Sequence, residues 1–418
     1  MHKLSSSELY LLAALAFVLP LLEVPKTLLW LAFVTVWLVR SINGEGWGGK
    51  LRYWDAIFGA LIGAAFFTAW AATPLPQQWL EAADTLRWVL LGWLLSRSEF
   101  SSKQVSLMLN SILIGTLIAG IHGLWIWWID PARSDLQLHS VGHVNHSAVY
   151  LSLAALAAIG SLLTQWPLRR PGGTMSRLLM FLPAGTLVLL VLVSDSRGAL
   201  IALLLGVFFL GVGSRHHSAI HPLKLMMILL MSLVVAVISR PSIVQKTIFL
   251  TQNGYIQSKR PELARVAIET WRQHPFFGVG PANFGRVTET NVKTWVELRG
   301  DQFSASNYVF MNHAHSLYFN TLAERGTLGI GALLFLLIAW VQSLSRRPGR
   351  GQTKEWVRWS MAVAAGTVVV VAGIFNTTLH HEHGLLAMLL LGPWIGPRDV
   401  AYETKAPQAL PSALMHGI

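Results

Sequence analysis

Apolar runs of membrane-span length recur from one end of the chain to the other, separated by short polar connections and interrupted once by a long one. They lie near 8–24, 27–40, 53–73, 79–96, 104–129, 145–165, 177–194, 197–213, 222–239, 314–343, 356–375 and 380–397. A helix needs about 20 mostly apolar residues to cross the hydrocarbon slab, where no water satisfies backbone groups. The pattern therefore predicts an all-α polytopic membrane protein with about twelve transmembrane helices. It divides into helices 1–9 over 1–239, a loop with short helices over 240–313, helices 10–12 over 314–405 and a tail over 406–418. The first run follows a single Lys3 and lacks a small-x-small cleavage site, so it reads as a retained span. The Ala/Pro-rich tail reads as a disordered end.

Composition agrees, with 53% hydrophobic and 12% charged residues, against roughly 25% charged in a soluble domain. A net charge of +12 would suggest nucleic acid as a partner of a soluble protein, but here the bases sit mainly in short inter-span connections. Alternate connections carry Arg40, Lys50 and Arg52, then Arg97 and Lys103, then Arg169, Arg170 and Arg177, and later Arg346, Arg347, Arg350 and Lys354. The opposite short ones hold only Lys26, Arg133 and Arg197. The positive-inside rule then places both termini in the cytoplasm and the 240–313 loop on the outer face, with no nucleic-acid partner. Trp125, Trp127 and Trp128 fit an outer aromatic belt. Cysteine is absent, which removes disulfides and thiolate metal sites. No internal repeat is visible, which weakens a transporter reading.

Candidate chemistry concentrates at the outer connections. The long loop holds nine basic residues against five acidic ones. Within it 261–273 reads as a helix with Pro at its first turn and Arg265, Glu269 and Arg272 along one face, which would be an ordinary surface helix with an exposed Arg265–Glu269 pair. Ser194-Asp195-Ser196-Arg197-Gly198 begins a span, where an arginine either snorkels or clamps an anion such as a lipid diphosphate. His313 and His315, two residues apart, are poor joint metal ligands on a helix, yet either could accept a proton from a sugar hydroxyl. His380, His381, Glu382 and His383 open the last span; adjacent histidines without an acid-rich partner make zinc unattractive and favour substrate contact or an interfacial cap. Glu81, Asp84 and Arg87 share a helix face and are expected to neutralise one another. His122, His143, Asn145 and His146 surround the third outer connection and could line the same cavity.

His315-Ser316, nine residues, Gly326, then Gly329 resembles the histidine motif of the O-antigen ligase and polymerase superfamily of bacterial membrane glycosyltransferases. Ser196-Arg197-Gly198, Arg265 with Trp271, Pro275 and Gly278-Val279-Gly280, and Asn145-His146 support the resemblance, which covers essentially the whole chain. Length and the single major loop look most like the ligase; a polymerase or a protein O-oligosaccharyltransferase is the alternative within the superfamily, and a transporter of a lipid-linked or anionic solute the alternative outside it. The resemblance implies a GT-C-like fold in the bacterial inner membrane. It also implies an undecaprenyl diphosphate-linked glycan donor, a lipid A–core acceptor and membrane lipids as partners, without cofactor or metal. His315 would be the catalytic base, and Arg197 and Arg265 would bind the donor diphosphate. His313, Asn145, His146, Arg272, His380 and His383 would be further substrate contacts.

Overall fold

The computed structural model describes residues 2–72, 75–130, 135–165, 174–215, 227, 259–349 and 351–397. Among the described residues eight α-helices precede the long connection: α1 (Ser6–Val18), α2 (Glu23–Arg40), α3 (Tyr53–Ala71), α4 (Pro76–Arg97), α5 (Ser102–Ile129), α6 (Val144–Gln165), α7 (Thr174–Val193) and α8 (Arg197–Ser214). Two lie within it, α9 (Arg260–Gln273) and α10 (Glu289–Leu298), and three follow, α11 (Leu317–Ser345), α12 (Thr353–Ala372) and α13 (His381–Ile395). A parallel pairing of His2–Lys3 with Ser98–Glu99 is the sheet among the described residues. Every predicted span that falls on described residues coincides with a helix; the span at 222–239 and the tail lie outside them. Among the described residues seven helices are long and apolar enough to cross a membrane. α4 is not one of them, because Glu81, Asp84 and Arg87 dilute its apolar character. The chain is an all-α, multi-pass membrane protein.

The bundle is built around α6 and α12, whose span windows are 89% and 83% buried. Both are rich in alanine, and small side chains let backbones approach where lipid tails give helices no hydrophobic reason to associate. At their crossing a Cβ on Gly160 would stand 2.7 Å from that of Ser360. α8 and α13 pack against α12, α4 joins α13 to α3, and α11 lies along α3. The outward faces are apolar: Ile114, Ile118 and Ile121 of α5 and Leu334, Phe335 and Ile338 of α11 are exposed, a surface that suits hydrocarbon rather than water. Exposed Trp125 and Trp128 stand at one end of α5, as an aromatic belt requires.

The two ends of the bundle differ in chemistry. At one end Arg97 donates to the carbonyls of Gly49 (3.0 Å) and Lys50 (2.9 Å) and pairs with Asp55 at 2.8 Å. Arg358 donates to the carbonyl of Phe100 there. At the other end α4, α6, α8, α11 and α13 all begin, so several helix N-termini converge, each with the positive end of its dipole. The described part of the long connection, 259–313, folds over this end. Leu263, Val266 and Ala267 of α9 form a small core with Phe284, Val292, Val296, Ala314 and Ala323, which seats α9 and α10 on the start of α11.

Candidate active site

The turn between α7 and α8 presents Arg197. Asp195 adopts φ 55, and Ser196 is extended as N-cap with its hydroxyl donating to Asn145 Oδ1 at 3.2 Å rather than capping the helix. That bond ties the start of α8 to the start of α6. Arg197 is the first residue of α8 and is exposed, so a positive side chain sits where the dipole is also positive. Such an arrangement repels cations and attracts an anion.

A second arginine arrives from the folded loop. Arg260 opens α9 with its guanidinium carbon 5.1 Å from the centroid of the Phe375 ring. Phe375 also walls the start of α8, since a Cβ on Gly198 would lie 2.9 Å from the Phe375 Cβ. Loss of hydration and then the charge of Arg197 lower the proton affinity of Arg260, which places the two cations within electrostatic reach of one another.

His315 completes the group. Its φ of 48 is a left-handed conformation rarely adopted by residues with a side chain. Its neighbours hold it there: Ala314 N donates to Asn320 Oδ1 at 3.1 Å, Ser316 Oγ to the carbonyl of Gly373 at 3.3 Å, and Leu317 N to the same carbonyl at 2.8 Å. The imidazole is half-buried. Burial, and then the charges of His313, Arg260 and His143, push its pKa below the ordinary histidine value, so it is a neutral proton acceptor at neutral pH. Two anion-seeking arginines and a neutral base therefore share one corner of the bundle, on a segment whose family is recognisable: residues 182–334 match the O-antigen ligase family. The chain carries an O-antigen ligase family domain. No curated protein matches the chain.

Within the family domain, the two glycine motifs are parts of one joint. Gly326 interrupts α11 with φ 58 and ψ −157. The segment 275–280 docks against the break: Val279 N and Gly280 N donate to the carbonyls of Ala323 (3.0 Å) and Glu324 (2.9 Å). Thr327 N and Leu328 N donate to those of Pro275 (2.8 Å) and Phe276 (3.2 Å). The loop thus supplies partners to backbone groups that the kink leaves without helical ones. Glu324, buried beneath, accepts from Phe284 N at 3.3 Å and from Asn320 Nδ2 at 3.0 Å, and Asn320 in turn holds Ala314. His315 is aimed by this chain of bonds.

Around the family domain stands a ring of histidines. His146 lies 4.9 Å from His383, 5.8 Å from His143 and 6.4 Å from His380, centroid to centroid. His383 bonds the carbonyl of Thr377 at 2.8 Å. His380 meets Glu81 at 3.2 Å and His381 meets Asp84 at 2.9 Å. Lys26, one of the few bases in the outer short connections, is 2% exposed: it donates to Ser140 Oγ at 2.7 Å and pairs with Glu382, which pins the start of α13. Asp84 lies 3.7 Å from Arg87, whereas Glu81 turns to His380 and to Arg325 at 3.8 Å, so the expected three-way neutralisation on α4 is divided among α11 and α13. Between α3 and α11, below Phe277, an apolar groove of about 780 Å³ is lined by Ala60, Gly63, Phe67, Leu328 and Gly331.

The structure brings Arg197, Asn145, His146, His313, His315, His380 and His383 to one end of the bundle. Arg265 and Arg272 occupy a different face. Arg265 donates to Asn307 Oδ1 at 3.1 Å, and Arg272 pairs with Glu269 at 3.0 Å. Glu269, buried, also takes Arg299 at 2.6 Å, so these two arginines stand where the Arg265–Glu269 pair was expected. Arg260 was not singled out from the sequence. The signal was its place just before Pro261, at the positive end of the helix, where an arginine gains nothing from the helix itself.

Proposed function

We propose that the protein is an O-antigen ligase, transferring a glycan from undecaprenyl diphosphate to lipid A–core at the periplasmic face of the inner membrane. Arg197 and Arg260 bind the donor diphosphate. Their guanidinium forks match phosphate oxygens, and the dipoles of α8 and α9 add to the attraction. His315 accepts the proton of the acceptor hydroxyl while that oxygen attacks the anomeric carbon. The bond from this carbon to the diphosphate oxygen breaks on the opposite side, so the configuration inverts. The electron pair leaves with the diphosphate, whose growing charge the arginines neutralise without a metal ion. His313, His143, His146 and Asn145 line the acceptor side. The apolar groove between α3 and α11 suits an amphiphile that reaches the site from the bilayer.

The observation that carries this reading is the convergence of Arg197, Arg260 and the neutral His315 at one end of a membrane bundle. The test is transfer by purified protein in detergent, given lipid-linked glycan and rough lipopolysaccharide, with and without EDTA. Formation of glycosylated lipopolysaccharide in both conditions is the expected result. Lengthening of the lipid-linked glycan alone would make the protein a polymerase, and absence of any new glycolipid would favour a transporter.

A further inference from the structure

We propose that Asp84, His380 and His381 form a binding site for one divalent metal ion of the zinc class, bridging α4 and α13 at the mouth of the histidine ring. The proposal stands on side-chain geometry and does not rest on the transferase reading.

One potential ligand atom from each residue, a carboxylate oxygen and two ring nitrogens, lies within 4.8 Å of the others. Imidazole and carboxylate are the donor set that zinc accepts in open, three-residue sites. Glu81 decides the tautomer of His380. Its Oε2 lies 3.2 Å from His380 Nε2 and, as a carboxylate, can only accept, so in the neutral ring Nε2 carries the proton and Nδ1 the lone pair. His380 Nδ1 is buried and has no hydrogen-bond partner among the described residues. A carboxylate holding the far nitrogen of a histidine is the usual outer support of a metal-ligating imidazole.

His381 is prepared in a different way. Its backbone takes φ 43, and its N–H donates to Asp84 Oδ2 at 3.0 Å while its Nδ1 lies 2.9 Å from Asp84 Oδ1. In the metal-free form the ring proton bridges Nδ1 and the carboxylate. Metal binding would move that proton to Nε2 and put the ion between ring and carboxylate. The His381 side chain is 46% exposed, so an ion can enter and a fourth position stays open to water or an anionic oxygen. His383 is not counted among the ligands, because the donor atoms that lie within 4.8 Å of one another come from Asp84, His380 and His381. From the sequence the adjacent histidines lacked an acid; the acids stand on α4, almost three hundred positions earlier, and the packing of α4 on α13 delivers them.

The full chain, purified in detergent and stripped with EDTA, is titrated with Zn²⁺ by calorimetry and with Co²⁺ by visible absorption. One ion per chain, a higher melting temperature with Zn²⁺ and cobalt bands of a four-coordinate nitrogen–oxygen site are expected. Asp84→Asn and His381→Ala should lose both signals, Glu81→Gln should weaken affinity roughly 10- to 100-fold, and His274→Ala on the distant loop should bind normally. His381, being exposed, keeps the test open if Asp84→Asn does not fold. Absence of binding to the native chain, or a His381→Ala protein that binds as the native one does, overturns the proposal.

Discussion

The backbone of Phe277 occupies the space into which a side chain on Gly326 would grow, its amide nitrogen 2.6 Å from the Cβ position. With φ 58 and ψ −157, Gly326 also holds a conformation open essentially to glycine alone. Gly326→Ala therefore pays backbone strain of about 1–3 kcal/mol and pushes the 275–280 segment off α11. A lower melting temperature in detergent and reduced transfer are expected together. Unchanged stability in this variant would show that the loop does not depend on the joint.

His315 and His313 separate cleanly if only one is the base. His315→Ala should lower turnover by about 10²- to 10⁴-fold, the range of a lost general base, while the melting temperature holds. His313→Ala, whose ring perturbs His315 without being held by its bonds, should cost far less. Equal partial losses in transfer assays would remove the assignment.

The pH profile should show the same base. Burial and the neighbouring charges of His313, Arg260 and His143 lower the pKa of His315, so activity should rise with pH through a value below 6.5, the ordinary histidine pKa, and then level off. Arg260→Ala removes a positive charge that disfavours the imidazolium, so the pKa rises and the acid limb of the residual activity moves to higher pH. A limb that stays in place or moves down in that variant would show that Arg260 does not act on His315.

Arg260 and Arg265 differ by one turn and a half of helix but face different surroundings. Arg260→Ala and Arg197→Ala should each weaken binding of undecaprenyl diphosphate, with only partial rescue by lysine, which lacks the bidentate fork. Arg265→Ala should leave donor affinity nearly unchanged, because its guanidinium is engaged with Asn307. Binding measured with a spin-labelled or fluorescent polyprenyl diphosphate distinguishes them, and a reversed order of effects would return the donor site to Arg265.

By itself the sequence determined what the bilayer and the local backbone demand. Spans are legible because each must satisfy its own hydrogen bonds and present apolar side chains, both properties of a continuous segment. Ser316 and Gly326 are legible because helix capping and a positive φ select residue types over short distances, whereas His315 was singled out by the motif that carries the family resemblance. Tertiary structure decided which charges meet. Arg260 and Arg265 stand on the same short helix with equal local credentials, and only the docking of α9 on α11 carries the first to Phe375 and Arg197 and leaves the second with Asn307. Glu81 and Asp84 likewise read as partners of Arg87 on their own helix; Asp84 keeps Arg87 and gains His381, and Glu81 turns to His380, because α4 packs along α13. Ion pairs and hydrogen bonds act over a few ångströms, so their partners are chosen by the packing of helices far apart in the chain.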